Sequence, residues 1–187
     1  MSERDDRSVR IRPLDQPGDL GWVIMAHGEL YHREFGWNSE FEALVARIVT
    51  SYAEDRDHDR QAAWIAEVDG RRAGCVFCIR DPDDPRGETA KLRILLVDPS
   101  ARGRGVGRSL VDECLRFAGA AGYRRIALWT NDVLASARKI YQSRGFRLVE
   151  EEAHHSFGRD LVGQFWELEL DPQPSPASTA QTAIRSG

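Results

Sequence analysis

The stretch that most constrains this chain runs from Leu92 to Leu110, LRILLVDPSARGRGVGRSL. Its apolar run, Ile94-Leu95-Leu96-Val97, has the length and bulk of a buried strand. Asp98-Pro99 breaks that strand. Gly103, Gly105 and Gly107 follow among Arg102, Arg104 and Arg108, and then Val106, Leu110, Val111, Cys114, Leu115 and Ala118 recur at helical spacing. Strand, glycine-rich turn and helix start together predict an anion site. Glycines let the backbone approach a ligand closely, the first helical N–H groups lack partners, and the helix dipole favours negative charge. The arginines add charge that suits a phosphate.

The flanking sequence supplies a single domain around that stretch. Ser8 to Leu14 alternates apolar and charged residues as a half-buried strand ended by Pro13. Leu20 to Phe35 reads as a helix stopped by Gly36. A second helix is marked by a capping box, Ser39 with Glu42, and by Phe41, Leu44, Val45, Ile48, Val49 and Tyr52. Ala62 to Val68 and Arg71 to Ile79 flank Asp69-Gly70, a type I′ hairpin signal. After the loop from Asp81 to Gly87 come a strand over Glu88 to Val97 and the glycine turn with its helix to Ala121. A strand over Arg125 to Thr130 and a short helix over Leu134 to Ser143 follow. Two closing strands, Phe146 to Glu150 and Leu161 to Leu170, flank a polar connection holding His154 and His155. This order predicts an α+β, or mixed α/β, domain over residues 1–170. Residues 171–187 are rich in Pro, Ser, Thr and Ala and read as a disordered tail.

Charge and cysteine usage narrow the partners. Lys plus Arg is 26 against 30 Asp plus Glu, a net charge of −4, which gives no support to nucleic-acid or membrane-surface binding. The arginines of the turn are then a local feature and favour a small anionic ligand. The charged N-terminus is neither a signal nor an anchor, and no apolar run nears the ~20 residues that span a bilayer; a cytoplasmic protein is expected. Cys75 and Cys78 match C-x-x-C, but they lie in a strand, where residues three apart face opposite sides. No Cys or His pair has partner spacing for a metal, so these and Cys114 read as buried structural thiols, and no metal site is expected.

Dinucleotide spacing, G-x-G-x-x-G, fails because Arg108 or Leu110 occupies the third glycine position. P-loop spacing fails at Arg108 as well. Asp132 keeps a nucleotide-binding oxidoreductase open as one alternative. What fits is V-x-P-x-x-R-G-x-G-V-G-x-x-L, from Val97 through Leu110, and a second pattern, A-x-x-I-Y-x-x-x-G-F, from Ala137 to Phe146. With both patterns in register the chain resembles the GNAT superfamily of CoA-dependent N-acyltransferases. From Leu92 onward it is similar to the acetyltransferase half of bacterial proteins that fuse a MarR-type DNA-binding domain to a GNAT domain. No helix-turn-helix segment is read ahead of that half, so no DNA-binding role is expected.

The resemblance implies a mostly antiparallel twisted sheet flanked by helices, with splayed central strands. It implies transfer of an acetyl group from acetyl-CoA to a primary amine of a small molecule or a lysine-containing substrate, and pairing of the last strands between two copies. Backbone N–H groups at Leu95 and Val97 would polarise the thioester carbonyl and hold the pantetheine arm. Arg102, Gly103, Arg104, Gly105, Val106, Gly107 and Arg108 would hold the pyrophosphate, and Asn131 would reach CoA. Tyr141 is the implied general acid. Members of the family often carry a Glu near the start of the central strand, where this chain has Lys91, Leu92 and Arg93. Glu88 is the nearest carboxylate and the candidate base; Glu34, His27, His154 and Glu151 are further options, as is a water chain. The acceptor pocket is expected from the first two helices, with His27, Tyr31, Glu34, Phe35 and Trp37, and from the last hairpin, with Glu150, Glu151, Glu152, His154 and His155. A non-catalytic acyl-CoA-binding sensor is the other alternative, suggested by the missing strand carboxylate.

Overall fold

The computed structural model describes residues 9–55 and 57–171. The expected tail therefore lies outside the described residues, Asp171 apart, as does Ser8 of the first strand. The elements are β1 (Val9–Pro13), α1 (Asp19–Phe35), α2 (Ser39–Glu54), β2 (Ala62–Val68), β3 (Arg71–Arg80), β4 (Thr89–Val97), α3 (Val106–Ala120), β5 (Arg125–Asn131), α4 (Ala135–Ser143), β6 (Arg147–Ser156) and β7 (Arg159–Glu169). They form one seven-stranded sheet in the order β1-β2-β3-β4-β5-β7-β6. Every pairing is antiparallel except β4 with β5, which is parallel and short: Thr89 to Lys91 pair with Arg125 to Ala127. Beyond Lys91 the two strands part.

Each sheet face carries its own apolar core. Val76, Cys78, Leu92, Val106, Leu110, Cys114 and Ile126 fill the face covered by α3 and α4. Val23, Leu30, Phe41, Val45, Ile65, Cys75, Phe77 and Leu96 fill the face covered by α1 and α2. Cys75 and Cys78 thus go to opposite faces, as their strand spacing requires, and all three thiols are free and buried. Burial pushes the Cys75 thiol up, which keeps it unreactive.

Two expectations change. The N-cap of α2 is Asn38, whose side chain accepts from the Glu40 N–H at 3.0 Å; Ser39 is the first helical residue. Glu42 closes no capping box and lies instead against Gly28 of α1, where the missing Cβ lets the two helices approach. The polar connection with His154 and His155 is also not a loop. Both lie in β6, and the hairpin turns later, at Phe157-Gly158 with φ of 57° and 73°. Strand β6 sits at the sheet edge and is exposed along nearly its whole length, so it carries no apolar alternation to read. Phe157 is held in its unfavourable φ by packing on Trp37 and Phe41, with ring centroids 5.0 and 5.1 Å away, and by donating its N–H to Glu40 Oε2 at 3.1 Å.

Candidate active site

The splay between β4 and β5 opens onto two adjoining cavities. The larger, about 600 Å³, is lined by Arg102, Gly103 and Gly105 to Arg108 of the glycine turn, by Leu95 and Val97 of β4, by Tyr31, Glu34 and Phe35 of α1, and by Val133 and Leu134 leading into the first residues of α4. The smaller, about 90 Å³, lies on the α1–α2 side and is lined by His27, Tyr31, Arg93, Thr130, Asn131 and Tyr141 among mostly apolar walls. Tyr31, Leu95, Leu134 and Ala137 border both.

The turn leaves a helix N-terminus open toward the larger cavity. Gly103 and Gly105 have φ of 76° and 77°, and Gly105 is the N-cap of α3 with no side chain bonding the helix end. The first N–H groups of α3 therefore have no side-chain acceptor. Gly107 permits a close approach of α4: a Cβ there would lie 2.7 Å from Ile140 Cδ1. Arg102 forms a bidentate pair with Glu34 at 2.8 and 2.9 Å across the cavity, and Arg104 lies 3.5 Å from Asp69. The opposite wall is the start of α4, whose N-cap, Leu134, also supplies no side-chain bond.

At the junction of the cavities the β4 backbone is strained. Ile94 has φ of 44°, costly for a β-branched residue. It sits in a bulge where Phe77 pairs with Arg93 and Cys75 with Leu96. The bulge brings Arg93 and Leu96, three apart, to one face of the strand. No part of the sequence signals this, since nothing about an isoleucine suggests a positive φ.

Tyrosines and a histidine supply the polar groups. The Tyr31 hydroxyl donates to the Leu95 carbonyl at 3.4 Å. Tyr141 is buried, its ring against Phe146 at 5.6 Å, and burial pushes its phenol far above the usual range. It is a neutral donor at every working pH. His27 is 1% exposed. Its Nδ1 lies 2.8 Å from the Val23 carbonyl oxygen, so Nδ1 holds the proton and donates. Nε2, buried with no hydrogen-bond partner, is left with a bare lone pair. Burial pushes the imidazole down to about 4, outweighing the nearby backbone of Val23 and Ile94.

The sequence-derived candidates divide by position. Leu95, Val97 and the turn residues Arg102, Gly103, Gly105, Val106, Gly107 and Arg108 line the larger cavity, and Arg104 stands in the same turn. Asn131 lines the smaller one instead, with Oδ1 2.9 Å from His154 Nε2. Glu88 is not brought to either cavity. It precedes β4, pairs with Arg124 at 3.6 Å, and lies seven residues from Leu95, about 20 Å along a strand. Proximity in sequence misled here because an extended strand carries neighbours away faster than any other element. Glu151 donates no group to the cavities either; it accepts from Gln164 Nε2 at 2.6 Å. Asp132 lines neither cavity. Among the described residues no group of His, Cys, Asp and Glu could hold a metal ion, and no helix is long and apolar enough to cross a membrane.

Comparison with known proteins agrees with this architecture. A human protein named N-acetyltransferase 8B is 34% identical over 98 residues, 51% of this chain and 43% of that relative. The mycothiol acetyltransferase of Beutenbergia cavernae is 35% identical over 98 residues, 52% of this chain and 32% of that protein. The chain thus spans less than half the length of these relatives. Among solved structures, an N-acetyltransferase from Staphylococcus aureus Mu50 superposes with a TM-score of 0.73 at 21% identity, covering 88% of this chain and 99% of the other. A Salmonella typhimurium structure with its cofactor acetyl-CoA superposes at 0.70 and 18% identity, covering 92% and 99%. Residues 25–146 match the acetyltransferase (GNAT) family, and the chain belongs to it.

Proposed function

We propose that the protein moves an acetyl group from acetyl-CoA to a primary amine, by direct attack of the amine within the splay between β4 and β5. The observation that carries this reading is the junction at Leu95, where a cavity with an uncapped helix start meets a smaller, tyrosine-lined one beside a strained strand. Acetyl-CoA supplies an activated thioester carbonyl when bound.

The chain's own groups fit the rest. The N-terminus of α3 with Arg102 to Arg108 would hold the pyrophosphate, and Lys139 also lines that cavity. Main-chain groups on the β5 side of β4, unpaired with β5 beyond Lys91, would hold the pantetheine arm and polarise the carbonyl through the N–H groups of Leu95 and Val97. Tyr141, kept protonated by burial, would give its hydroxyl proton to the departing sulfur. His27 Nε2, neutral with its lone pair free, would accept a hydrogen bond from the amine N–H and orient it; burial holds the imidazole down to about 4, so the amine's proton would leave through water. Leu30, Phe35 and Ile140 give the larger cavity apolar walls. The exposed edge strand β6, with Leu148 and Val149 in solvent, supports pairing with a second copy.

The test is thiol release from acetyl-CoA with a panel of amines. Tyr141→Phe should lower kcat by about 10²- to 10⁴-fold while acetyl-CoA still raises the melting temperature. Acetyl-CoA binding with no thiol release for any amine would favour the sensor reading. Stabilisation by NAD(H) in place of acetyl-CoA would favour the oxidoreductase.

A further inference from the structure

We infer that the acceptor is a small amine bearing a carboxylate, and that Arg93 receives that carboxylate in the smaller cavity. The inference rests on the acetyl-transfer reading above and assigns its acceptor class.

Arg93 is half-buried on the α1–α2 face of β4, opposite Phe77, with Leu44 and Ile48 of α2 and Leu92 among the cavity walls. It forms no ion pair among the described residues, whereas the basic side chains that flank it on the strand, pair across the larger cavity or lie buried in the sheet have carboxylate partners. Lys91, two residues earlier, lies 3.3 Å from Asp81 and 3.6 Å from Asp83. Arg102 has Glu34, and Arg12 has Asp19 and Glu67. Asp81 is the carboxylate that acts on Arg93 from a distance, but it is committed to Lys91. Burial pushes the Arg93 guanidinium down from its ordinary value, a measure of how poorly this charge is solvated where it stands. An arginine does not escape such a setting by losing its proton. What relieves it is an anion, and the planar five-donor fork matches a carboxylate.

The rest of the cavity agrees with that occupant. No Asp or Glu lines it, so a second ammonium, as in a diamine or polyamine, would meet Arg93 with nothing to offset the repulsion. Thr130, Asn131 and the bare His27 Nε2 are neutral groups suited to an amine N–H and a carboxylate oxygen. A volume of about 90 Å³ holds an amino-acid-sized group and no folded polypeptide segment. The bulge at Ile94 makes the arrangement possible, because without the extra residue Arg93 would not share a face with Leu96 above the cavity.

The test compares amino acids with their carboxamides as matched acceptors, using acetyl-CoA and thiol release, with rates corrected for the fraction of neutral amine. The unaltered protein should favour the acid by about 10- to 100-fold in kcat/KM, the range of one charge-assisted bidentate contact. In Arg93→Met, which keeps the aliphatic stem, the preference should fall to within about twofold through a raised KM. Arg93→Lys should keep part of it, as a point charge without the fork. Calorimetric acetyl-CoA binding separates this inference from the reading beneath it. Failure of the unaltered protein to bind acetyl-CoA overturns the underlying reading. Acetyl-CoA binding with carboxamides accepted as well as acids, with no amino acid acetylated, or with an acid preference that survives in a folded Arg93→Met overturns the inference alone. The acid–amide comparison on the unaltered protein needs no variant, so a misfolded substitution does not remove the test.

Discussion

Gly74→Ala probes the strand that supports the whole site. Gly74 lies in β3, paired with Val97 of β4. A Cβ there would sit 2.7 Å from the Leu96 carbonyl oxygen, 3.1 Å from Leu110 Cδ1 and 3.2 Å from Val106 Cγ1. The two side-chain contacts can ease by small rotations. The carbonyl cannot, because it is backbone in the strand that holds the bulge, so β4 must shift away from β3 or α3 must lift. Overpacking of this kind costs about 1–3 kcal/mol, and at ~2–4 °C per kcal/mol for a chain of this size the melting temperature should fall by about 2–12 °C. Val106 begins α3, so the disturbance reaches the anion end of the helix, and acetyl-CoA affinity should weaken with stability. Calorimetric melting and acetyl-CoA titration read both. Gly21→Ala is the control: it lies in α1 with nothing within 4 Å of its Cβ and should be stabilising by roughly 0.5–1 kcal/mol. If Gly74→Ala melts within a degree of the unaltered protein and binds acetyl-CoA equally, the packing argument is refuted.

Gly105→Ala meets no steric obstacle but must hold φ near 77°, a strain of about 1–2 kcal/mol. Acetyl-CoA binding should weaken, and Gly105→Asn should recover part of it; equal affinity for alanine and asparagine would contradict this. Glu34→Gln frees Arg102 from a partly exposed pair, worth about 0.2–1 kcal/mol. Acetyl-CoA should then bind about 1.5- to 5-fold tighter by titration; weaker binding would mean that Glu34 positions Arg102 for the ligand. Asp19 is fully buried between Arg12 at 2.7 Å and Arg72 at 2.7 Å. Asp19→Ala leaves Arg12 with Glu67 alone and should cost about 3 kcal/mol in urea unfolding, the lower end for a broken buried pair.

Acid stability follows from two groups with depressed native pKa values. Burial alone would raise Asp19, but its hydrogen bonds from Arg12 and Arg72 prevail and hold it down to about 2. The unfolded chain binds this proton first, so the contribution is complete above about pH 4 and is lost as pH falls through 2. His27, buried and neutral down to about 4, withholds a proton that the unfolded chain takes up below about 6.5. Stability should therefore decline in two steps, between about pH 6.5 and 4 and again below 4. Urea midpoints that stay level from pH 7 to 4.5 would refute the first step, and His27→Gln should flatten it.

Local chemistry made the outline of this protein legible in its residues. Val97 to Leu110 spells strand, turn and helix because apolar runs, proline and glycine each act on their own backbone. The hairpin at Asp69-Gly70, with φ of 52° and 72°, is local in the same sense. The face assignment of Cys75 and Cys78 follows from the twofold period of a strand alone. Order along the chain is a poor guide to position in space. Glu88 is close to the central strand in sequence and far from the cavities, and His154 and His155 lie in a strand whose exposure erased its pattern. Arg93 and Ile94 show what only tertiary structure decides. The bulge that turns Arg93 toward α1 and α2, and the positive φ that Ile94 accepts, are imposed by β3 on one side and by the departure of β5 on the other. Their energies come from contacts between segments far apart in the chain, so no window of sequence contains them. The Leu92–Leu110 stretch sets the strand, the glycine turn and the open helix start; the parting of β4 and β5 beside it, which places Arg93 and the two cavities, is decided by strands far apart in the chain.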